Sequence, residues 1–347
     1  VAQDHENRAM KEKMALDGSV QVDFEDRKKT KNELKQQLYY LLTVYAGKTL
    51  PWGTLTGIRP TKIPMELLED GKSEDEIRSY MKETYLASDE KIELSLSVAK
   101  RELELLSRID YENGYSLYVG IPFCPSTCLY CSFTSYSLAA NRSKVDLYLD
   151  ALVKEMRFVA DRMKGRRLDT VYFGGGTPTT LDEAALEAFL QEIQEHFDLS
   201  HLREFTVEAG RPDTLDPEKL LAIRQGGATR ISINPQTMDD RVLAIMGRSH
   251  TSADILRAYQ QALEAGHRDI NMDLIAGLPG DTPAGFQHTM EQVLSLSPSN
   301  ITVHTLALKK AATLYYEKRA ALPTADMVEE MLSFASRSLR ASDYHPY

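Results

Sequence analysis

Hydrophobic residues recur along this chain with two different periods, and the change from one to the other falls near residue 110. Before it, the spacing is helical. Leu34, Leu38, Leu41, Leu42 and Tyr45 share one helical face that stops at Gly47, a residue suited to a left-handed C-cap. Ile92, Leu96, Ala99, Leu103 and Leu106 make the stripe of a long helix ending near Ile109, and Ser73-Glu74-Asp75-Glu76 is a capping box that opens another. Two stretches break the pattern. Residues 20–24 alternate like a short strand, and residues 51–62 are too rich in Gly, Pro and Thr for a regular element. The latter hold the only tryptophan, which predicts an ordered loop; the alternative is a linker.

After the acidic turn Asp110-Tyr111-Glu112-Asn113-Gly114, the pattern becomes strand, turn and amphipathic helix, repeated. Predicted strands cover residues 117–121, 170–173, 205–207, 231–233, 270–275 and 301–306, separated by helices over 145–163, 183–197, 217–224, 253–266 and 286–296. Strict βα alternation implies parallel strands with right-handed crossovers. The expected organisation is a mainly helical N-terminal domain (1–110) of unassigned role, a βα domain (115–310), and the start of a C-terminal helical region (311–347). Val1 is not a methionine and Tyr347 follows a charged helical stretch, so the expectation is a chain cut at both ends. Unusual residues collect at the C-terminal ends of successive strands, as at a barrel mouth, whereas an open sheet gathers its site at one switch point. The fold class expected is therefore α/β, a partial (β/α)6 barrel of the TIM-like kind.

Composition narrows the function. With 42% hydrophobic and 27% charged residues, the chain is that of a globular enzyme. A formal charge of -10 argues against general nucleic-acid or anionic-membrane binding. No apolar run approaches the ~20 residues of a membrane helix. Only three cysteines occur, too clustered for a disulfide framework, which fits a reducing cytoplasm.

Those three, Cys124, Cys128 and Cys131, are spaced CxxxCxxC and can converge on one inorganic centre. A structural zinc wants four protein ligands and a [4Fe-4S] cluster usually takes four cysteines, so three would leave one iron open to a non-protein ligand. A CxxC redox pair, a zinc completed by histidine, and plain buried thiols are the alternatives. Gly174-Gly175-Gly176-Thr177-Pro178 would let backbone approach a ligand, or is a tight turn. Glu208 and Asp273, each ending a predicted strand, suit an ammonium group and a ribose diol, with Gly277 to Gly280 leaving room for a flat adenine. Their alternatives are a solvated acid and a turn former. Arg211, His304, Lys309 and Lys310 stand at or near strand ends as cations for an anionic substrate, or as solvated surface charge.

CxxxCxxC with Tyr130 before the last cysteine is similar to the radical S-adenosylmethionine (radical SAM) signature. In order, YVGIPFC, FGGGTPT, VEAGRPDT, RISINPQT, MGRSH and NMDLIAGLPGDT resemble the oxygen-independent coproporphyrinogen III oxidase family, and most its HemZ-type branch. The resemblance runs from about residue 115 to 308, with PWGTLTGIRPTK recurring in that branch. It implies a [4Fe-4S] cluster on Cys124, Cys128 and Cys131. It also implies one or two SAM molecules, held by Tyr118, Gly175, Gly176, Thr177, Glu208, Gln236, Arg248, Asp273 and Ala307, with Tyr130 packing nearby. The implied reaction starts from a 5'-deoxyadenosyl radical and oxidatively decarboxylates two propionates, giving protoporphyrinogen IX. Its implied partners are the tetrapyrrole and a reducing donor such as flavodoxin or ferredoxin. A haem-binding chaperone and a radical SAM methyltransferase or porphyrin ring-opening enzyme are the other activities on this scaffold. This chain departs from the family at Gly120, commonly His there, at Asn234-Pro235, commonly Gly-Val, and at Ser132, where some oxidases have Cys.

Overall fold

The computed structural model describes residues 24–57, 59–110, 112–316 and 322–346. All of the strand-like stretch 20–24 except Phe24 lies outside them. The chain divides into two compact units, one up to Ile109 and one from Asp110.

In the first unit, Asp26 caps helix α1 (Arg27–Ala46) by accepting from the Lys29 amide at 2.8 Å, and Gly47 ends it in the left-handed conformation. Helix α2 spans Lys62–Glu69, α3 Glu74–Tyr85 and α4 Asp89–Leu106. The Ser73–Glu76 capping box is formed in full. A small core joins Ile77, Met81 and Tyr85 of α3 to Ile92 and Leu96 of α4, with Ile63 and Leu67 of α2 against it. In the tryptophan stretch, the described residues 51–57 and 59–61 form turns and loop rather than a helix or strand. Thr54 N-H donates to Tyr85 O at 2.7 Å, and a Cβ on Gly53 would stand 2.0 Å from that same carbonyl oxygen, so only glycine fits. Helix α1 buries none of its residues, and Leu34, Leu38, Leu41, Leu42 and Tyr45 are all exposed.

The second unit is a six-stranded parallel sheet. Its strands are β1 (Tyr115–Ile121), β4 (Leu168–Gly175), β5 (Glu204–Glu208), β6 (Arg230–Gln236), β7 (Asp269–Ala276) and β8 (Asn300–Thr305), paired in that order. A two-residue parallel pair, β2 (Phe123–Cys124) with β3 (Tyr136–Ser137), brackets the cysteine loop. The crossovers run through α5 (Leu138–Arg162), α6 (Glu183–His196), α7 (Pro217–Gln225), α9 (Ser252–Glu264) and α10 (Pro283–Leu296), with the short α8 (Asp240–Ile245) before α9. α11 (Thr313–Tyr316) and α12 (Ala325–Ala341) follow, the latter packed on α10. Among the described residues, no helix is long and apolar enough to cross a membrane.

Strand alternation explains the architecture. Val119, Val171, Phe173, Phe205, Val207, Ile231, Ile233, Ile270, Met272 and Leu274 point outward into the helices and are fully buried or nearly so. Each such side chain contributes about 1.5–3 kcal/mol by leaving water. The residues between them point inward and are polar or small, leaving a polar lumen where many (β/α)8 barrels pack branched side chains. Differences from the expected bounds are local. α5 begins seven residues earlier than the apolar spacing predicts, because residues 138–144 form its first turns without a periodic apolar face. β6 runs on to Gln236 by a bulge: Pro235 has no amide to give the ladder, and pairing with β7 resumes at Gln236 opposite Leu274.

Candidate active site at the strand C-termini

The cysteine loop leaves β1 and is tied down at several points. Leu129 N-H donates to Met246 O (3.2 Å), Cys131 N-H to Cys128 O (3.1 Å), and Leu314 N-H of α11 reaches Leu129 O (2.8 Å). Cys124 and Cys128 are buried and Cys131 half-buried, all three as free thiols. Burial pushes the Cys124 and Cys131 thiols up, and the neighbouring cysteines add to this. As thiolates they need a positive partner, which iron supplies. Among the described residues, no three His, Cys, Asp or Glu side chains gather tightly enough for a single metal ion. A cubane differs, since each thiolate takes its own iron corner.

The glycine run at the end of β4 lies against this loop. A Cβ on Gly176 would come within 2.7 Å of Phe123 O and 3.0 Å of Cys124 Sγ, and one on Gly175 within 2.9 Å of Ile121 N and O. The missing side chains of Gly175 and Gly176 thus make room for the chain's own cysteine loop and β1. Thr177 follows, its hydroxyl directed at Gly176 O (2.7 Å) with Cys124 Sγ at 3.5 Å.

Across the mouth, the Tyr172 hydroxyl donates to Glu208 Oε1 at 2.5 Å. Burial pushes Glu208 up to about 6 and Asp273 adds to it, against the hydrogen bonds from Tyr172 and the Gly175 amide. Tyr118 stacks on Tyr172 with ring centroids 5.8 Å apart and 10° between planes. The Tyr118 ring leans over Gly120, where a Cβ would meet it at 3.2 Å, so the departure at Gly120 and the tyrosine stack go together. Asp273 accepts from Asn271 Nδ2 at 2.8 Å. Gln236 sits at φ +69°, a strained value for a non-glycine residue, and its Oε1 is buried without a partner. Arg248 donates to Asn234 O (2.8 Å) and the Tyr130 hydroxyl (3.1 Å), leaving its buried Nε unpartnered. Burial also pushes the Tyr130 phenol up to about 12.

The candidates therefore divide. Cys124, Cys128, Cys131, Gly175, Gly176 and Thr177 meet at the cysteine loop, joined by Tyr130 and Arg248. Tyr118, Glu208 and Asp273 line the same mouth, and Gln236 ends β6. His304, Ala307, Lys309 and Lys310 lie exposed on β8 and the segment after it, and the two lysines make no ion pair among the described residues. Arg211 is a correction. It is 3% exposed, and its guanidinium is occupied by Asp213 and Ser126, which leaves no face for a substrate carboxylate. Sequence reasoning missed Tyr172, although it alternates inward with Thr170 and Gly174, and missed Asp213 and His250, each two residues beyond an arginine it had singled out.

Residues 118–293 match the Radical SAM superfamily, and the chain belongs to it. Within it, the chain is similar to the oxygen-independent coproporphyrinogen-III oxidase-like protein HemZ of Bacillus subtilis, 36% identical over 92% of this chain and 65% of HemZ. It is also similar to the heme chaperone HemW of the same organism, 34% identical over 67% of this chain and 62% of HemW. Among solved structures, the coproporphyrinogen III oxidase HemN of Escherichia coli matches with a TM-score of 0.61 and 28% identity, over 71% of this chain and 56% of HemN. The chain thus spans less than two thirds of each relative's length. The superfamily implies a [4Fe-4S] cluster and SAM. The residues fit both: three thiols on one loop, two unpartnered buried polar atoms at Gln236 and Arg248, and the Glu208 carboxylate at the same mouth.

Proposed function

We propose that this chain carries the cluster- and SAM-binding part of an enzyme that oxidatively decarboxylates coproporphyrinogen III to protoporphyrinogen IX without oxygen. The observation that carries the reading is the meeting of the cysteine loop, the β4 glycine run and the Glu208 and Asp273 carboxylates at one mouth, in a chain 36% identical to the oxidase-like HemZ. Cys124, Cys128 and Cys131 hold the cluster. Glu208 takes the methionine ammonium of SAM and Asp273 its ribose diol, with Arg248 and Gln236 offering the remaining polar contacts. Bound together, cluster and SAM supply the one-electron chemistry that removes a hydrogen atom from the β-carbon of a propionate. The protein's part is to orient that C-H bond and keep water out. With Arg211 engaged elsewhere, the substrate carboxylates fall to His304, Lys309 and Lys310, and a flavodoxin or ferredoxin supplies electrons.

A second reading, haem delivery, is favoured by the similarity to HemW. One experiment separates them. The cluster-reconstituted protein is incubated anaerobically with SAM, a reductant and coproporphyrinogen III, following porphyrin mass and 5'-deoxyadenosine together. Loss of two carboxyl groups per substrate with deoxyadenosine formed is the expected outcome. Tight one-to-one haem binding with no decarboxylated porphyrin would replace this reading with the chaperone.

A further inference from the structure

Arg211 lies where β5 gives way to the turn at Pro212–Thr214. Its Nε and Nη2 donate to the two carboxylate oxygens of Asp213 at 3.0 and 2.9 Å. Its Nη1 donates to both the carbonyl oxygen and the hydroxyl of Ser126, each at 2.9 Å. Ser126 stands between Cys124 and Cys128, and its hydroxyl donates a hydrogen bond to Gly247 O at 3.1 Å. On the far side of Asp213, His250 Nδ1 lies 3.3 Å from Oδ1, its side chain wholly buried. Burial alone would raise the Asp213 pKa, but His250 and Arg211 outweigh it and hold the carboxyl well below the usual range. The ionised carboxylate has no proton to give, so His250 Nδ1 carries one.

Three loops therefore meet at one buried cation. One follows β5, one joins α8 to α9, and the third bears the cysteines. A planar fork suits this node, since it can hold a carboxylate on one edge and two oxygens on another, which a lysine cannot. The Nη1 edge of Arg211 meets the loop at Ser126, two residues from both Cys124 and Cys128. We propose that Arg211, clamped by Asp213 and His250, is the positioning residue of the cysteine loop, fixing the turn between Cys124 and Cys128 and setting the reduction potential of the cluster they hold. Its guanidinium faces the loop and Asp213 lies behind it. The nearer charge is thus positive and favours the reduced, more negative cluster.

The inference rests on the cluster reading and is tested on the cluster alone. The whole chain is reconstituted anaerobically, and each variant is followed by iron release to a chelator, by the midpoint potential from an EPR-monitored reductive titration, and by thermal unfolding. In Arg211→Met, iron release speeds up about ten-fold or more, and the potential moves negative because Asp213 is left uncompensated. In Asp213→Asn, iron release also speeds up, but the potential moves positive. Arg211→Lys keeps the charge without the fork, so release is fast while the potential stays near that of the unsubstituted protein. Opposite shifts of potential from two variants that both loosen the loop are not what general destabilisation produces. If Arg211→Met does not fold, the lysine and asparagine variants carry the same test. Unchanged release and potential in those two would overturn the inference and leave the cluster reading standing. An unsubstituted protein that takes up no iron would end the cluster reading itself.

Discussion

The two ends of the barrel lumen are built from the same strands and are equally polar, yet they differ in how their polar groups are satisfied. At the N-terminal end, Arg230 bonds Glu204 at 2.9 Å and Asp269 at 3.1 Å, Thr206 bonds Glu204 at 2.7 Å, and Thr170 bonds Ser116 at 2.7 Å. Side chains there close on one another across β1, β4, β5, β6 and β7. At the C-terminal end, Gln236 Oε1 and Arg248 Nε are buried without partners, Gln236 is in a strained conformation, and the Glu208 carboxyl is held well above its usual range. A buried polar group left unsatisfied costs about 1–3 kcal/mol. The closed end reads as structure, and the unpartnered polar atoms at the other end are what mark it as the candidate site.

The comparison breaks most readily at the cysteines. Replacing Cys124 with alanine is expected to abolish cluster assembly, seen as loss of reconstituted iron and sulfide, while thermal unfolding of the apo form changes little. Full iron retention would remove the cysteine loop from the site.

Glu208→Gln comes next. Without the carboxylate, SAM binding by calorimetry is expected to weaken about 10- to 100-fold, as for a lost charge-assisted hydrogen bond. The pH dependence sharpens this. A carboxyl raised from 4.5 to about 6 in the folded state holds its proton more tightly there than in the unfolded chain. Stability should therefore fall as pH rises from about 4.5 to 6, by at most about 2 kcal/mol, and the glutamine variant should lack that slope in urea unfolding. Over the same window, SAM affinity should rise with pH as Glu208 ionises.

At the closed end, Arg230→Met should reverse the pattern. A loss of about 1–2 kcal/mol in urea unfolding is expected, because Glu204 and Asp269 lose the cation between them, with SAM affinity unchanged. A variant that kept its stability and lost SAM binding would erase the distinction between the ends. The smallest effect is expected at the rim, where charge reversal at Lys309 should weaken porphyrin binding only about three- to ten-fold, since exposed ion pairs are screened. Fluorescence titration with coproporphyrin would measure it, and unchanged affinity would take Lys309 off the list of substrate contacts.

Much of this was legible in the chain before its fold was known. Period-2 and period-3.6 spacing located the six parallel strands and five crossover helices, because the outward face of each strand must be apolar to meet its helix. The cysteine spacing and the glycine run marked the candidate site, since few residue types other than cysteine suit iron and few other than glycine let two backbones lie so close. The capping box at Ser73 was equally plain, being written in local hydrogen bonds.

Local pattern does not specify which polar group faces which across dozens of residues. Whether Arg211 is a free cation or the buried anchor of the cysteine loop depends on Ser126, 85 positions away, and on His250 beyond Asp213. The partnership of Tyr172 with Glu208 and the use of Gly176 to admit Cys124 are of the same kind. Periodicity reports how much of a side chain is buried; only the strands brought side by side decide what it is buried against.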